Sequence, residues 1–535
     1  MKKLFTLLMA AGCTMAANAN IYLAGDINSW NPAATEGFEL TDGDGDGVYT
    51  LWLSLDEGVK LGAFKIQDTN IADNAGMLGV ENTDGITLKT TYPANLVNAK
   101  ATGVIRLDES IDGNRFFDIF YVAADKKLVV VSKYYNLYVR GGFNGWGAPD
   151  NAKMNYEGNG VFVYNFTANG KLTGEDSEGI KLASGDWSVE WGGSAEKQPL
   201  SFDAPLALTS TESKNFYIDA TAPILTVTFN AVTSEATVFT PQLYLKGENF
   251  GSWGTDEAYK FNVCASSPYA YELAFAEPTK LSGNFKVADA DWTGRYNFGF
   301  AWGNVPVLKI HNYQDNGDIN FGDGAPTTEK IYFAPFNDVD ASLRGLLLTS
   351  MPEEMYIMGF GEWSTDNFSK VMTPVDGVFG EYAINNVEVN DGNNSFRIYD
   401  GKSDNYETCS WGCGNNDEDY TPSWNTDNSV ATATFVKGPK GKMTLPAATY
   451  NITFNIFTGV VKAADVAKSS VEGITVASNA KAWADGKTIR IAGAQSSAIY
   501  TVGGALVAAN ANAVNVPAGL YLVRIDNKTV KVIVK

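Results

Sequence analysis

The stretch Leu137-Tyr138-Val139-Arg140-Gly141, followed shortly by Asn144-Gly145-Trp146, decides the fold because related phrases occur three more times along the chain. Each phrase is an apolar strand with tyrosine at its second position, a closing glycine and then a tryptophan. The other three are Ile21–Gly25 with Trp30, Leu243–Gly247 with Trp253, and Met355–Gly359 with Trp363. The four tyrosines lie 116, 106 and 112 residues apart. A period close to one domain length predicts tandem domains rather than a solenoid.

Each repeat continues with the same two signals. A glycine-rich hairpin such as Glu157-Gly158-Asn159-Gly160 follows the tryptophan, and a strand with a central cation comes next. The cation strands begin 34, 34, 32 and 33 residues after the tryptophans, and they are Phe64-Lys65-Ile66, Ile180-Lys181-Leu182, Phe285-Lys286-Val287 and Phe396-Arg397-Ile398. Frequent turn signals and the lack of a sustained helical period predict an all-β chain of tandem immunoglobulin-like β-sandwich domains.

These landmarks divide the chain of 535 residues into six parts. We expect a signal peptide at 1–19, β-sandwich repeats 1 to 4 at 20–134, 135–241, 242–352 and 353–464, and a C-terminal β-domain, the tail, at 465–535. From about Val466 the composition becomes rich in Ala and Val and poor in aromatic residues. The change in composition separates the tail from the repeats.

The N-terminus reads as an export signal. Met1-Lys2-Lys3 is basic, Leu4–Ala11 is an apolar core too short to span a bilayer, and Ala17-Asn18-Ala19 fits the small-x-small cleavage rule. A competing interpretation makes Cys13 a lipidated cysteine in a degenerate lipobox. The first repeat strand begins at Ile21, which leaves only a short tether for such an anchor, so we favour cleavage after Ala19.

Composition excludes several classes of function. The formal net charge of −21 argues against nucleic acid as a partner. The single histidine, His311, leaves no Ser-His-Asp triad or multi-histidine metal site unless it acts alone. Asp42-Gly43-Asp44-Gly45-Asp46 resembles the start of a calcium loop, but Leu53 stands where a bidentate Glu is needed, so a hairpin turn is favoured. We expect no metal and no cofactor.

Three cysteines remain after removal of the signal peptide. They are Cys264, Cys409 and Cys413, and their odd number forbids complete pairing within one chain. A small loop closed by Cys409 and Cys413 and unpaired packing cysteines both remain open.

Aromatic residues cluster just after the cation strands. Sugar rings pack their C–H faces on exposed indole and phenol rings, while Lys, Arg, Asn and Asp bond the hydroxyls at the edge. Candidate residues of this kind are Lys181, Trp187 and Trp191 in repeat 2, Lys286, Trp292, Tyr296 and Trp302 in repeat 3, and Arg397, Tyr406 and Trp411 in repeat 4. Repeat 1 has Ile71 at the position where repeats 2 and 3 have Trp187 and Trp292, so we expect repeat 1 to bind weakly or not at all.

The alternative interpretation places these tryptophans in the core, because Trp is usually mostly buried. It applies most strongly to the tryptophans of the opening phrase, since a residue present in every copy can be a packing landmark. Exposure of Trp187 and Trp292 separates the two interpretations.

The order of opening strand, Gly-x-x-Asn-x-Trp, hairpin, Phe-Lys-Ile strand and Trp resembles the SusE/SusF-like starch-binding proteins of Bacteroidetes. It is also similar to the glycogen-binding modules of isoamylases and AMP-kinase β subunits. The resemblance covers about residues 20–465. It implies sugar contacts from Trp146, Lys181 and Trp187 in repeat 2, from Trp253, Lys286 and Trp292 in repeat 3, and from Trp363 and Arg397 in repeat 4, with Trp411 displaced; repeat 1 keeps only Trp30 and Lys65.

The tail has its own resemblance. The Gly519–Ile525 strand and the terminal Lys531–Lys535 segment look like the C-terminal sorting domain of the type IX secretion system. The resemblance implies export across the outer membrane to the surface or the medium, with an ordinary fifth sandwich as the alternative.

We therefore predict a non-catalytic, multivalent glycan-binding protein with a starch-like α-glucan as its leading ligand. Its partners would be a neutral polysaccharide or oligosaccharide and the outer-membrane glycan-uptake or secretion machinery. Two rivals stay open: a surface adhesin or structural protein whose aromatic residues are core, and a glycoside hydrolase that uses two carboxylates.

Overall fold

The computed structural model is all-β, as predicted. It describes residues 20–34, 36–71, 76–99, 101–108, 115–133, 135–167, 179–312, 317–337, 343–364, 368–401, 406–415, 418–438, 440–468, 481–492, 497–501, 505–509, 511–525 and 528–534. The expected signal peptide lies outside these residues. The chain separates into two compact units, which divide between Thr240 and Pro241. None of the described helices is long and apolar enough to cross a bilayer.

Repeat 1 is a two-sheet β-sandwich. Its strands are β1 Ile21–Gly25, β2 Glu39–Leu40, β3 Val48–Ser54, β4 Phe64–Asp68, β5 Met77–Leu78, β6 Ile86–Leu88, β7 Pro93–Asn95, β8 Ile105–Leu107, β9 Phe116–Val122 and β10 Lys127–Ser132. One sheet has the order β2-β1-β4-β8-β6 with β5 beside β4, and the other has the order β3-β9-β10-β7. Alternate residues such as Leu51 and Leu53 of β3 point into the core between the sheets, as the two-residue period of a strand requires.

Repeat 2 has the same two-layer plan. Its strands are β11 Leu137–Gly141, β12 Asn155–Tyr156, β13 Val161–Thr167, β14 Ile180–Ser184, β15 Glu190–Trp191, β16 Gln198–Ser201, β17 Leu206–Ala207, β18 Phe216–Asp219, β19 Ile224–Asn230 and β20 Glu235–Phe239. The sheets have the orders β11-β14-β18-β16, with β15 beside β14, and β12-β13-β19-β20-β17. Its core includes Phe120, Val129 and Val131 from the outer face of repeat 1, so the two repeats share apolar packing.

The second unit begins with repeat 3. Its strands are β21 Leu243–Gly247, β22 Asn262–Val263, β23 Tyr271–Lys280, β24 Phe285–Asp289, β25 Asn297–Asn304, β26 Val307–Asn312, β27 Thr327–Asn337 and β28 Leu343–Leu348. They pair in one continuous sheet of order β21-β24-β25-β26-β28-β27-β23-β22. The opening strand β21 and the cation strand β24 are neighbours, as β11 and β14 are in repeat 2.

Repeat 4 contains the one helix of more than three residues among the described segments, α1 Tyr406–Cys409. Its strands are β29 Met355–Gly359, β30 Val371–Pro374, β31 Glu381–Val389, β32 Ser395–Tyr399, β33 Ser410–Gly412, β34 Asp419–Tyr420, β35 Ser423–Trp424, β36 Val430–Thr434, β37 Val436–Lys437, β38 Lys442–Thr444, β39 Ala448–Asn455 and β40 Val460–Asp465. Strand β30 pairs with both β29 and β31, and so it joins the strands of repeat 4 into one sheet. Its core is continuous with that of repeat 3.

The tail forms a smaller structure with its own apolar core. Its strands are β41 Lys481–Asp485, β42 Thr488–Ala492, β43 Ser497–Thr501, β44 Leu506–Ala509, β45 Ala513–Asn515, β46 Gly519–Ile525 and β47 Lys528–Val534. They pair as β41-β42-β45 and β44-β43-β46-β47. Short 3₁₀ turns elsewhere in the chain are Asp26–Asn28, Pro32–Ala34, Gly142–Asn144, Asp150–Ala152, Glu257–Tyr259 and Gly322–Gly324.

The three cysteines left open by the sequence are all buried free thiols, so the loop closed by Cys409 and Cys413 is not formed. Burial raises the pKa of the Cys413 thiol to about 12, which keeps it protonated and unreactive.

Candidate functional site

The glycine and asparagine of the opening phrase build a turn that presents the first tryptophan. In repeat 2 a Cβ on Gly141 would lie 2.7 Å from the Gly179 carbonyl oxygen, so only glycine fits there. Asn144 accepts a hydrogen bond from the Gly141 amide (3.0 Å) and donates one to the Val139 carbonyl (3.0 Å). The amide of Trp146 then donates to the Gly141 carbonyl (2.9 Å). The asparagine is therefore a turn residue, and the tryptophan is what the turn displays.

Repeat 1 has the same turn, and repeat 3 has a turn one residue longer that closes with the same backbone bond. In repeat 1, Asn28 accepts from the Gly25 amide (2.9 Å), and the Trp30 amide donates to the Gly25 carbonyl (2.9 Å). In repeat 3 the Trp253 amide donates to the Gly247 carbonyl (3.0 Å). All three tryptophans have left-handed backbone, with φ between +60° and +66°. Such a conformation costs a non-glycine residue about 1–3 kcal/mol, and residues that carry this cost cluster at functional sites.

A second turn presents a second tryptophan in repeats 2 and 3. Trp187 and Trp292 follow the cation strands β14 and β24, and both have left-handed backbone, with φ of +62° and +54°. In repeat 2 the Asp186 carboxylate accepts hydrogen bonds from Ser184 Oγ (2.5 Å), the Ser188 amide (3.0 Å) and Ser188 Oγ (2.7 Å). These bonds lower the pKa of Asp186 to about 2 and fix the turn around Trp187.

The two turns bring two indole rings together. The ring centroids of Trp146 and Trp187 are 6.3 Å apart with an interplanar angle of 34°, and those of Trp253 and Trp292 are 6.1 Å apart at 40°. Trp187 is 38% exposed and Trp292 is 36% exposed, while Trp146 and Trp253 are half-buried. Repeats 2 and 3 therefore each present two tilted aromatic rings, one exposed and one half-buried. We call these the repeat 2 pair and the repeat 3 pair.

A buried cation supports each pair. The Arg140 guanidinium lies 3.7 Å from the centroid of the Trp187 ring, and it donates to the carbonyls of Trp146 (2.7 Å), Ser184 (2.8 Å) and Gly185 (3.1 Å). In repeat 3, Lys246 occupies this position, with its ammonium 4.7 Å from the centroid of the Trp292 ring and bonded to the Ala290 carbonyl (2.8 Å). Burial lowers the pKa of both cations.

Sequence reasoning missed Arg140 and Lys246. The available signal was the fourth position of the opening strand, which is cationic in the two repeats that contain a pair and is Ala24 or Met358 in the others. These cations lie directly opposite the predicted ones across the ladder, Arg140 beside Lys181 and Lys246 beside Lys286. The ammonium of Lys181 binds Glu190 (3.3 Å) and that of Lys286 binds Asp318 (3.6 Å). Lys181 and Lys286 thus lie on the same face as the pairs, with carboxylate partners.

Trp191 is not part of the exposed surface, which corrects the prediction that it offers a platform. It pairs with Leu182 in the register of β14 and β15 and shares its inward direction, so its ring is buried. The ring packs against Phe229, with centroids 5.0 Å apart, and its Nε1 donates to Thr91 Oγ1 of repeat 1 (2.9 Å). Its role is structural, because it ties repeat 2 to repeat 1.

The loop that carries Trp187 is also bonded to repeat 1. Lys89 donates through Nζ to the Ser188 carbonyl (2.6 Å). The Tyr92 hydroxyl accepts from the Glu190 amide (3.0 Å). Repeat 1 therefore holds the loop through contacts additional to those of Arg140.

Tyr296, Arg397 and Trp411 are buried as well, so their predicted exposure is wrong. The Trp411 ring packs on Phe454, with centroids 5.1 Å apart, and its Nε1 donates to Asp400 (2.7 Å). Trp302 lies on β25 and Tyr406 on α1, but their side chains fall outside the described part of the structure.

No second exposed tryptophan accompanies Trp363 in the part of repeat 4 that the structure describes. In repeats 2 and 3, the outer face of the opening strand and the cation strand displays the cations. The equivalent face of β29 and β32 is covered by a buried cluster of Tyr356, Met358, Tyr399 and Cys409. Trp363 nevertheless projects from its turn and is 46% exposed, with the Lys442 ammonium 5.6 Å from the ring centroid. Among the described side chains of repeat 4, Trp363 thus lies on its turn without a second tryptophan ring beside it.

The acidic turn of repeat 1 is a compact hairpin. Asp42 accepts hydrogen bonds from the amides of Gly45 (2.7 Å), Asp46 (3.2 Å) and Gly47 (3.0 Å). The carboxylates of Asp42, Asp44 and Asp46 lie within 4.8 Å of one another, close enough to share a cation. The backbone bonds account for the aspartate at the start of the turn without an ion.

Comparison with known proteins adds a distant similarity to solved structures. No protein-family model matches the chain, and no curated protein matches it. Among solved structures, the chain is similar to the crystal structure of SusF from Bacteroides thetaiotaomicron, at 15% identity over 61% of this chain and 71% of that chain, with a TM-score of 0.33. A superposition this loose does not establish which residues correspond, so the candidate site is defined by the geometry of this chain alone.

Proposed function

We propose that the chain is a non-catalytic, multivalent carbohydrate-binding protein, exported to the outer-membrane surface or the medium, with a starch-like α-glucan as its leading ligand. The observation that carries the proposal is the exposed tryptophan pair, present in repeat 2 and again in repeat 3. The alternative of a protein without glycan binding required Trp187 and Trp292 to be core residues, and both are exposed.

The tilt of each pair suits a curved ligand. The two rings of a pair are inclined to each other by 34° in repeat 2 and by 40° in repeat 3, so successive sugar units of a bent chain can each place a C–H face on one indole. A helical α-glucan is bent in this way, whereas a straight β-linked glucan presents a flat ribbon. The cation beneath each second tryptophan holds that ring in place, and its attraction to the π face is about 0.5–2 kcal/mol.

The surroundings of the pair favour binding over hydrolysis. A glycoside hydrolase needs two carboxylates that flank the scissile bond, one of which acts as an acid with a raised pKa. The carboxylate on the Trp187 turn, Asp186, accepts hydrogen bonds from its own turn, and its pKa is lowered to about 2. A group in this state holds no proton to donate at neutral pH.

Two weak sites on one chain bind a polymer far more tightly than either alone, because the second contact is intramolecular. Partners beyond the glycan, namely an outer-membrane uptake or secretion system, follow from the export signal and the tail and belong to the same proposal.

Retention of the full chain on insoluble starch tests the proposal. We expect Trp187→Ala together with Trp292→Ala to reduce retention at least tenfold, while Trp483→Ala, an exposed tryptophan of the tail, leaves it unchanged. Equal retention of the double variant and the parent would reject the two pairs as the binding surface. Release of reducing sugar from starch by the pure protein would reject the non-catalytic assignment.

A further inference from the structure

Trp52 is the most exposed tryptophan of the described chain, at 61%, and neither the repeat pairs nor the core accounts for it. It lies in the middle of β3, at the edge of the second sheet of repeat 1, and not on a loop. Its neighbours Leu51 and Leu53 are buried, so the strand register directs the Trp52 ring outward. An indole held at this exposure by a regular strand is an unusual surface feature, since Trp is among the more buried residues.

The sheet places further groups around this ring. Asp118 of β9 is directly opposite Trp52, so both side chains leave the same face. Phe116, the diagonal neighbour, lies with its ring centroid 6.4 Å from that of Trp52 at an interplanar angle of 24°. The two rings are nearly parallel and form one aromatic strip. These two rings are closer to parallel than the rings of the repeat pairs, which are inclined by 34° and 40°.

A cleft of about 310 Å³ runs beside the strip, where the hairpin that joins β12 and β13 approaches repeat 1. Its lining is Trp52, Asp118, Lys133, Tyr156, Glu157 and Gly158. The Tyr156 hydroxyl donates a hydrogen bond to Asp118 and accepts one from the Gly160 amide (3.1 Å), which fixes that wall of the cleft. An aromatic floor is thus bordered by two carboxylates and an exposed ammonium.

We propose that Trp52, Phe116 and the cleft beside them form a further carbohydrate-binding site, chemically distinct from the repeat pairs. The exposed Trp52 ring takes the C–H face of a pyranose ring, and the carboxylates of Asp118 and Glu157 and the ammonium of Lys133 bond its hydroxyls. The site belongs to repeat 1, the repeat in which the second tryptophan is missing. It rests on the proposed function only for the class of ligand.

The size of the surface favours an oligosaccharide over a protein partner. A stable protein interface buries about 800 Å² on each partner around an apolar centre. Here the large apolar groups are two rings, and the residues on either side of Trp52 along the outward face of β3 are Thr50 and Ser54, both exposed and polar. The mixture of carboxylate and ammonium around one ring fits a ligand with many hydroxyl groups and no net charge.

The test uses calorimetry on the full chain carrying Trp187→Ala, Trp292→Ala and Trp363→Ala, which removes the exposed tryptophans described in repeats 2, 3 and 4. Maltoheptaose, cellohexaose and xylohexaose are the three probes. We expect this background to bind at least one probe, the addition of Trp52→Ala to weaken that binding at least tenfold, and the addition of Lys133→Ala to weaken it about threefold. Trp483→Ala in the same background is the matched control and should change nothing.

Two results would overturn the site: a background that binds none of the three probes, or binding that Trp52→Ala leaves unchanged. Loss of folding is not a competing explanation if Trp52→Ala retains the thermal unfolding midpoint of its background, as expected for so exposed a ring. The outcomes also separate this site from the proposed function. Starch retention that falls in the Trp187→Ala and Trp292→Ala variant but survives Trp52→Ala supports the pairs and not this site, and the reverse pattern supports this site and not the pairs.

Discussion

The Arg140 guanidinium connects the two tryptophans of the repeat 2 pair: it stacks on the Trp187 ring at 3.7 Å and donates a 2.7 Å hydrogen bond to the Trp146 carbonyl. One buried side chain thereby sets the separation of two exposed rings. The pair is pre-organised, and a ligand that binds it does not have to order the rings first.

Removal of this cation is expected to weaken both binding and stability. Arg140→Met removes the hydrogen bonds to the carbonyls of Trp146, Ser184 and Gly185, at a cost of about 1–3 kcal/mol in the free energy of unfolding. We expect the starch affinity attributable to repeat 2, measured in a Trp292→Ala background, to fall about tenfold. Arg140→Lys should retain part of the starch affinity and part of the stability, because a lysine, Lys246, occupies the equivalent position in repeat 3. Unchanged affinity in Arg140→Met would show that the cation does not organise the rings.

The contact between Trp191 and Thr91 predicts that repeat 1 steadies the loop of repeat 2. Thr91→Val removes the acceptor of the Trp191 Nε1 donor inside the protein, so we expect local destabilisation of about 1–3 kcal/mol. Amide exchange measured by mass spectrometry over residues 184–192 should accelerate, while exchange in repeats 3 and 4 stays the same. Trp191→Phe is the matched control. The double variant should lose no more free energy of unfolding than the sum of the losses in the two single variants. Exchange that is unaffected in all three variants would contradict this role for repeat 1.

A buried ion pair in repeat 4 predicts a strong asymmetry between single and double variants. The Lys437 ammonium and the Asp400 carboxylate bond each other, and Asp400 also accepts from Trp411 Nε1 (2.7 Å). Lys437→Met leaves a buried charge uncompensated and should lower the free energy of unfolding of this part of the chain by about 3–5 kcal/mol. Asp400→Asn together with Lys437→Met retains the acceptor for Trp411 and should recover most of the loss. A double variant as unstable as the single would contradict this account.

The acidity of Asp186 predicts how the repeat 2 pair responds to pH. Its pKa in the folded protein is about 2, below the ordinary value of 3.8, because its turn bonds the carboxylate. A lowered pKa means that the stabilisation of the turn is complete above about pH 4 and is lost as the pH falls toward 2. In a Trp292→Ala background, starch retention should therefore be constant from pH 7 to 4 and decline below it. Asp186→Asn should weaken retention at pH 7 and flatten the decline; an unaltered profile would remove Asp186 from this role.

The sequence predicted the parts of the structure that depend on local signals. The opening phrase, with its Gly-to-Asn turn, is short enough for neighbouring residues to determine it, so the strands follow from the pattern. The exposure of Trp30 and Trp363 does not, because a tryptophan present in every copy favoured the core. The positions of Trp191 and Trp411 do not, because each lies on a two- or three-residue strand whose inward face is set by the register with a neighbour. A one-residue shift in register would have exposed both rings.

The roles of Arg140 and Lys246 were hidden for a related reason. A cation on the opening strand is typical of a solvated face, and only the return of the second turn across the sheet buries it beneath a tryptophan. In the described part of repeat 4, the lack of a second tryptophan beside Trp363 likewise depends on α1 and the cluster that covers the outer face, which no local pattern indicates.

The number of maltoheptaose molecules bound per chain tests the central claim most directly. Calorimetric titration of the full chain should give a stoichiometry that falls by one in Trp187→Ala, by one in Trp292→Ala and by two in the double variant. Loss of two sites from a single substitution, or the same stoichiometry in all four proteins, would contradict the account in which repeats 2 and 3 each present an independent pair of rings to the ligand.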